Sequence, residues 1–192
     1  MRFSVSSGPS VEPLSTAEAK THLRIDTSTE DTLVGNYIES ARGAMEVMMR
    51  RAFITQTITL KLDAFPSGTT ILLPRPPAQS ITSVQYVDTA GATQTVSSGD
   101  YTLDTTSEPA RLSPAYNVDW PDTRVQDNAV TVTYVAGYGD AATDVPEGVR
   151  LAIRLLIGCY YEQREAISSQ DWSTVPLGIQ VLASVHTVPE VY

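Results

Sequence analysis

The chain has 192 residues, of which 42% are hydrophobic and only 18% are charged. These totals suit one domain, or one domain with a large insertion, and supply enough apolar residues for a core. The 13 basic and 22 acidic residues give a net charge of -9, which argues against a protein that grips nucleic-acid phosphates. A smooth acidic surface past which nucleic acid slides is compatible with this charge. Because few residues are charged, the surface must be rich in Ser, Thr and small residues or be covered by another molecule.

Cys159 is the only cysteine, so an internal disulfide is excluded and a small core side chain is the favoured interpretation. The first residues contain no apolar run of signal-peptide length. Arg150 and Arg154 interrupt the strongest apolar segment well before membrane-spanning length. We therefore expect a protein that is made or assembled in a reducing cytoplasm and that has no membrane partner.

Two helices are predicted after a loose N-terminal segment. In the first, residues 14–25, Ser15 is placed to cap the helix and Glu18 to complete a capping box. The second, residues 30–52, has Ser28 or Thr29 as its expected cap and apolar residues spaced by fours and threes. Its apolar stripe consists of Val34, Ile38, Ala41, Met45, Met48 and Ala52, and its opposite face of Glu39, Arg42, Glu46 and Arg50.

From residue 54 the pattern changes to a period of two, rich in Ile and Thr, which is typical of half-buried strands. The predicted strands are residues 54–62, 70–73, 81–87, 93–96, 101–103, 111–112 and 129–135. Between them the PRPP stretch at 74–77 is expected to be a rigid connector. Such short strands indicate a compact antiparallel sheet or small sandwich, and this region carries four basic and nine acidic residues.

Residues 146–167 form the strongest helical pattern in the chain. Their apolar stripe, Val149, Ile153, Leu156 and Tyr160, is expected to pack on the helix predicted at 30–52. The remaining polar strip is narrow, so the helix needs several partners, either from its own chain or from a neighbouring subunit. A loop at 168–172, a short helix at 175–183 and an extended tail at 185–192 are predicted to follow.

The pattern as a whole predicts an α+β fold. We expect a helical core, made of residues 1–53 and 144–192, with two long antiparallel helices and some short ones. Residues 54–143 are expected to form an inserted antiparallel β module.

No set of residues in the sequence assembles an active site. The two histidines, His22 and His186, have no partner at metal-ligand spacing, and no serine lies in a nucleophile elbow. Gly137 and Gly139 lack the rest of a phosphate-binding loop and are better explained by a sharp exit from a strand. We therefore expect a protein that binds or builds, with no catalytic residues, no metal and no cofactor.

Several stretches, in order along most of the chain, resemble one known family. They are LSTAEAKTHLRID (14–26), EDTLVGNYIESAR (30–42), RAFITQT (51–57), PRPPAQSITSVQYVDTAG (74–91), DYTLD (100–104), VTVTYVAGYG (130–139) and VPEGVRLAIRLLIGCYYEQRE (145–165). The sequence is similar to the head-to-tail connector, or adaptor, proteins of tailed bacteriophages and gene-transfer agents. The resemblance fades before residue 14 and after residue 168.

This resemblance implies a structural virion protein that is made in the cytoplasm of a bacterial host and resides in the neck of a phage-like particle. It implies a homo-oligomeric ring of about twelve copies, built through head-to-tail interfaces. The ring would dock on the portal protein below a DNA-filled capsid and carry a stopper or tail-terminator protein. DNA would pass through its lumen without sequence-specific binding.

Two groups of residues are the expected contacts of such an assembly. The polar strips of the two long helices are expected to face a neighbouring subunit or the lumen; they are Glu147, Arg150, Arg154, Tyr161, Glu39, Arg42, Glu46 and Arg50. The tail is expected to lack a partner in its own segment and to reach the portal through Val185, His186, Val188, Val191 and Tyr192. On this basis Arg150→Glu is expected to disturb assembly but not folding.

A binding module is the alternative, in which the β module recognises a carbohydrate or another tail protein. Its candidate platform consists of Tyr101, Tyr116, Trp120 and Tyr138. The ordinary alternative is that these aromatic residues pack the sheet or a contact between subunits.

Overall fold

A computed structural model describes residues 2–67, 70–163 and 176–189 of the chain. It has the expected α+β architecture, with helices and antiparallel sheets. The helices are α1 (Thr16–Leu23), α2 (Asp31–Met49), α3 (Glu147–Glu162) and α4 (Leu177–Ser184). The strands are β1 (Arg2–Ser7), β2 (Gln56–Leu62), β3 (Ile71–Leu73), β4 (Ala78–Val87), β5 (Thr93–Thr95), β6 (Tyr101–Asp104), β7 (Ala110–Pro114) and β8 (Val130–Ala136).

The strands form two antiparallel sheets. The larger sheet has the order β1-β2-β8-β4-β5, and the smaller one has the order β3-β7-β6. Strand β8 lies at the centre of the larger sheet, and its side chains alternate between buried and half-buried positions. This alternation is the period-two pattern of the sequence, since successive side chains of a strand point to opposite faces.

Two clusters of buried apolar residues hold the described chain together. One joins the helices and includes the α2 and α3 stripes, and the other lies between the sheets. Helix α3 contacts α1, α2 and α4, so its own chain supplies the cover that its apolar stripe requires. The predicted packing of α3 on the second helix is confirmed: Val149, Ile153 and Leu156 are buried, and the Tyr160 ring lies 6.1 Å from that of Tyr37.

The helix ends follow local hydrogen bonding. The predicted capping box of α1 is present, because the Glu18 N–H donates to the Ser15 hydroxyl and the Ser15 N–H donates to the Glu18 carboxylate. The predicted cap of α2 is wrong, since Glu30 occupies the N-cap position and makes no side-chain capping bond. Helix α2 also ends earlier than expected, at Arg50, which adopts the left-handed conformation that usually favours glycine.

The N-terminal segment is not loose. Residues 2–7 form β1, which pairs with β2 at the edge of the larger sheet, although they were expected to belong to the helical core. All six residues of β1 are exposed, so no buried side chain marks the strand in the sequence. No helix within the described ranges combines the length and the apolar character needed to cross a membrane.

Candidate assembly surfaces

The polar strip of α3 is an ion-pair network. Glu147 accepts hydrogen bonds from Arg150, at 3.0 Å, and from Arg154, at 2.5 Å. These hydrogen bonds lower the pKa of the Glu147 carboxyl, and the bond from Arg154 makes the larger contribution. Arg154 is half-buried and Glu147 is exposed, so this end of the strip is open to a partner.

Arg150 faces its own chain. Its Nε–H donates to the main-chain carbonyl of Pro13 at 3.0 Å, and its guanidinium also pairs with Glu18 of α1. Only 13% of the Arg150 side chain is exposed, so this residue fixes the segment before α1 onto α3. These contacts predict the opposite of the expectation from the sequence, namely that Arg150→Glu destabilises the folded subunit.

The polar strip of α2 divides into an exposed part and a buried part. Glu39 is exposed, and Arg42 pairs with Glu12 at 2.7 Å and with Glu46 at 3.1 Å. Glu46 is only 5% exposed, so its expected position on an open face of the helix is wrong. The reason is that the chain returns across α2, where Glu46 accepts hydrogen bonds from the Phe53 N–H and the Gln56 amide.

The remaining two strip residues contact distant parts of the chain. The Tyr161 hydroxyl donates to the Glu30 carboxylate at 2.6 Å, which joins the last turn of α3 to the start of α2. The Arg50 guanidinium donates to the main-chain carbonyl of Val188 at 3.4 Å. Both residues therefore take part in contacts within the subunit.

The C-terminal segment, residues 185–189, is docked on its own subunit. Val188 is 3% exposed, and its N–H donates to the Met49 carbonyl at 3.1 Å. Val188 is therefore covered by another segment of its own subunit, which disfavours its expected contact with the portal. Val191 and Tyr192 lie outside the described residues.

Arg51 is a junction that no pattern in the sequence predicts. Its guanidinium donates two hydrogen bonds to the Glu108 carboxylate, one of them 2.8 Å long. It also donates to the main-chain carbonyl of His186 and lies over the Tyr138 ring. The hydrogen bonds from Arg51 hold the pKa of Glu108 below its ordinary value, and burial raises the pKa of Tyr138. No local signal indicates this contact, because Arg51 and Glu108 are brought together only by the fold.

A row of exposed apolar residues runs along α4. Leu177, Val181 and Val185 are 75%, 57% and 77% exposed. Their spacing of four places them on one face of the helix, while Ile179 and Ala183 are buried on the other. We call these three residues the α4 stripe.

The aromatic residues proposed as a binding platform do not form one surface. Tyr101 and Trp120 pack against the cluster between the sheets, where the Trp120 ring stacks on Phe65 at 4.7 Å. Tyr138 packs against the helical cluster, which leaves Tyr116 as the exposed member. This arrangement favours the packing interpretation for three of the four residues.

Comparisons with known proteins show a similarity along the whole chain. The family profile described as head completion protein matches residues 12–174. Two solved chains are each 25% identical to this chain, with TM-scores of 0.81. One is in the virion of a native gene transfer agent particle, and the other is in the neck of an empty particle computed with C6 symmetry. Both matches cover 100% of this chain and 98% of the other. A chain in the neck of a native particle computed with C12 symmetry, 24% identical, has a TM-score of 0.78 over the same shares of the two chains. No curated protein matches the sequence significantly.

Proposed function

The chain belongs to the head completion protein family, and from this premise we propose that it is the ring-forming adaptor in the neck of a phage-like particle. The ring sits below the portal, joins the DNA-filled capsid to a stopper or tail-terminator protein, and lets DNA pass through its lumen. The observation that carries the proposal is the full-length similarity to chains of a gene transfer agent virion and neck.

A ring of about twelve copies is consistent with closed head-to-tail assembly and with the C6 symmetry used in computing a neck that contains a similar chain. Twelve is a multiple of six, so a ring of this size fits that symmetry. The net charge of -9 suits a lumen from which the DNA backbone is repelled rather than held. The bacterial cytoplasm is the expected place of synthesis.

We infer an antiparallel arrangement for the two long helices. It is supported by the Tyr37–Tyr160 contact and by the hydrogen bond between Tyr161 and Glu30, which place the start of α2 beside the end of α3. The two apolar clusters support a division into a helical core, residues 1–53 and 144–192, and a β module, residues 54–143. Strand β1 is the exception, because it adds to the sheet.

The α4 stripe, whose last member Val185 begins the C-terminal segment, is the surface that we assign to the portal. Three exposed apolar side chains on one helix face gain free energy when a partner removes them from water. Among the polar residues, Glu147, Arg154 and Glu39 are assigned to a neighbouring subunit or to the lumen, because their side chains are accessible at least in part.

The test is electron microscopy of the chain mixed with the portal protein of the same particle. The native chain should form a ring stacked on the portal. A variant with Leu177→Gln, Val181→Gln and Val185→Gln should fold but lose the ring on the portal. Deleting residues 185–192 would be a weaker test, because Val188 also stabilises the subunit.

The matched control is Val47→Gln, which changes an exposed apolar residue of α2 outside the α4 stripe and should retain docking. A native chain that never associates with the portal would contradict the proposed function. Docking by the triple variant at the native level would instead contradict the assignment of the α4 stripe.

A further inference from the structure

Two apolar side chains of β1 extend the buried side of the larger sheet but are open to water. Phe3 and Val5 are the register partners of Leu60 and Ile58 of β2, which are fully buried in the cluster between the sheets. Residues directly opposite in an antiparallel pair share one face of the sheet, so Phe3 and Val5 lie on that same side. They are nevertheless 39% and 50% exposed. We call these two residues the open row, because the described chain covers their neighbours on β2 and not them.

A half-buried arginine lies against the open row. The Arg75 guanidinium carbon is 5.6 Å from the centroid of the Phe3 ring, and one of its N–H groups donates to the Arg51 carbonyl at 3.3 Å. Within the described ranges, no carboxylate lies at ion-pair distance from Arg75. Burial lowers the pKa of this guanidinium, and the charge of Glu46 opposes that effect only in part. A carboxylate that reached Arg75 would therefore compensate a cation that is partly removed from water.

The C-terminal segment leaves the described chain close to this arginine. The Val188 N–H donates to the Met49 carbonyl, and the Arg75 guanidinium donates to the Arg51 carbonyl. These two carbonyls are two residues apart, which is a span of at most about 7 Å. Residues 189–192 span up to about 13 Å when they are extended. The chain that follows Val188 is therefore long enough to reach Arg75 and the ring against which it lies.

The sequence of that chain complements the open row. Residues 189–192 are Pro, Glu, Val and Tyr. Alternate side chains of an extended chain share a face, so Glu190 and Tyr192 point to one side and Val191 to the other. Glu190 offers a carboxylate to a guanidinium, and Tyr192 offers a large ring that covers apolar surface.

We propose that residues 190–192 bind the open row of their own subunit, where the Glu190 carboxylate pairs with Arg75 and the Tyr192 ring covers the apolar side chains of β1. Val191 points away from the subunit. The pairing compensates the charge of the half-buried guanidinium, and the ring removes apolar surface from water. Both gains come from residues that follow a segment already bound to the end of α2.

This contact joins the C-terminal segment to the N-terminal strand. It links the helical core to the β module a second time, beside the Arg51–Glu108 pair. Tyr192 then serves its own subunit, which disfavours its expected contact with the portal and leaves that role to the α4 stripe. The contact forms in the isolated subunit, so it stands or falls independently of the proposed ring.

Disulfide formation tests whether the end of the chain reaches β1. Val5→Cys and Tyr192→Cys are introduced together with Cys159→Ser, so that the two new thiols are the only ones. Mild oxidation of the purified chain should close a bond within one chain at least about tenfold faster than in a control with Ser4→Cys in place of Val5→Cys, because Ser4 points to the opposite face of β1. A non-reducing gel and the mass of the product measure the rate and distinguish bonds within a chain from bonds between copies.

A double-mutant cycle tests the pairing of Glu190 with Arg75. Glu190→Gln should raise the unfolding equilibrium constant about threefold in the native chain and leave it unchanged in a chain with Arg75→Gln. Tyr192→Ser should raise the constant about tenfold, whereas Val191→Ser, the matched control, should leave it nearly unchanged. Urea unfolding of the purified variants measures all of these constants.

Three results would overturn the proposal. Disulfides that form only between copies would place a second copy on the open row. Equal oxidation rates for the Val5→Cys and Ser4→Cys chains would show that the end of the chain does not reach that face of β1. An effect of Glu190→Gln that persists undiminished in the Arg75→Gln chain would show that the two residues do not pair. Circular dichroism of each variant checks its fold.

Discussion

The Arg51 guanidinium donates two hydrogen bonds to the Glu108 carboxylate, one of them 2.8 Å long. Its Nε–H donates to the main-chain carbonyl of His186. Arg51 follows α2, Glu108 precedes β7, and His186 follows α4. One nearly buried side chain therefore joins the helical core, the β module and the C-terminal segment.

Glu108→Gln should lower the free energy of unfolding by about 1–3 kcal/mol, because it removes the charge that compensates a nearly buried guanidinium. The effect should be smaller than for a fully buried pair, since 41% of the Glu108 side chain is exposed to water. Urea unfolding at neutral pH measures the difference from the native chain.

Glu39→Gln is the matched control for this substitution. It makes the same chemical change on the exposed face of α2, where it should alter the free energy of unfolding by less than about 0.5 kcal/mol. Equal effects of the two substitutions would show that the Arg51 junction contributes nothing specific.

Gly137→Ala should destabilise the subunit by about 2 kcal/mol or more. Gly137 has a φ of +138°, and a Cβ at this position would lie 2.6 Å from main-chain atoms of Ile54 and Thr55. The control is Gly35→Ala in α2, where a Cβ meets nothing within 4 Å and should stabilise the helix by up to about 1 kcal/mol. Thermal unfolding should therefore move in opposite directions, and an equal or higher melting temperature for Gly137→Ala would contradict the argument.

The elements that the sequence predicted well are those with a local signal. Helix α3 has a regular apolar stripe, α1 has Ser15 and Glu18 at capping-box spacing, and β8 alternates along its length. The missed strand β1 has no such signal, because all of its residues are exposed and its pairing depends on β2, far away in the sequence. Helix α2 ends earlier than predicted because Arg50 takes the left-handed position at its C-cap. Glycine is the usual residue at such a position, so the sequence carried no signal for this end.

The candidate surfaces were harder to predict for a related reason. Periodicity places Arg150 and Glu46 on polar helix faces, but it does not show which other segment covers that face. The Arg150 side chain is covered by the chain before α1, and Glu46 by the return of the chain after α2. Both contacts join residues through the tertiary fold, so they become visible only when the segments are placed in space.

Arg150→Glu should lower the free energy of unfolding of the isolated subunit by about 2–4 kcal/mol. The new carboxylate would face Glu18 and Glu147, and the Pro13 carbonyl would lose its donor. Arg154→Glu is the control, because Arg154 pairs with exposed Glu147 and should cost about 1 kcal/mol or less. Native stability of Arg150→Glu combined with failed ring assembly would instead support the expectation made from the sequence.

The contribution of the Arg51–Glu108 pair should disappear in acid. Hydrogen bonds from Arg51 are the largest cause that holds the pKa of Glu108 below its ordinary value of 4.5, against the opposing effect of burial. A carboxyl whose pKa is lowered by folding stabilises the native state fully above its unfolded pKa, and this stabilisation is lost as the pH falls through the folded pKa. The difference in unfolding free energy between the native chain and Glu108→Gln should therefore stay constant from about pH 7 to about pH 5 and shrink below that range. Other carboxyls, such as Glu18 and Glu147, titrate in both proteins and largely cancel. Urea unfolding of both proteins over a pH series measures this difference, and a difference that persists undiminished into strong acid would show that it does not come from the charge of Glu108.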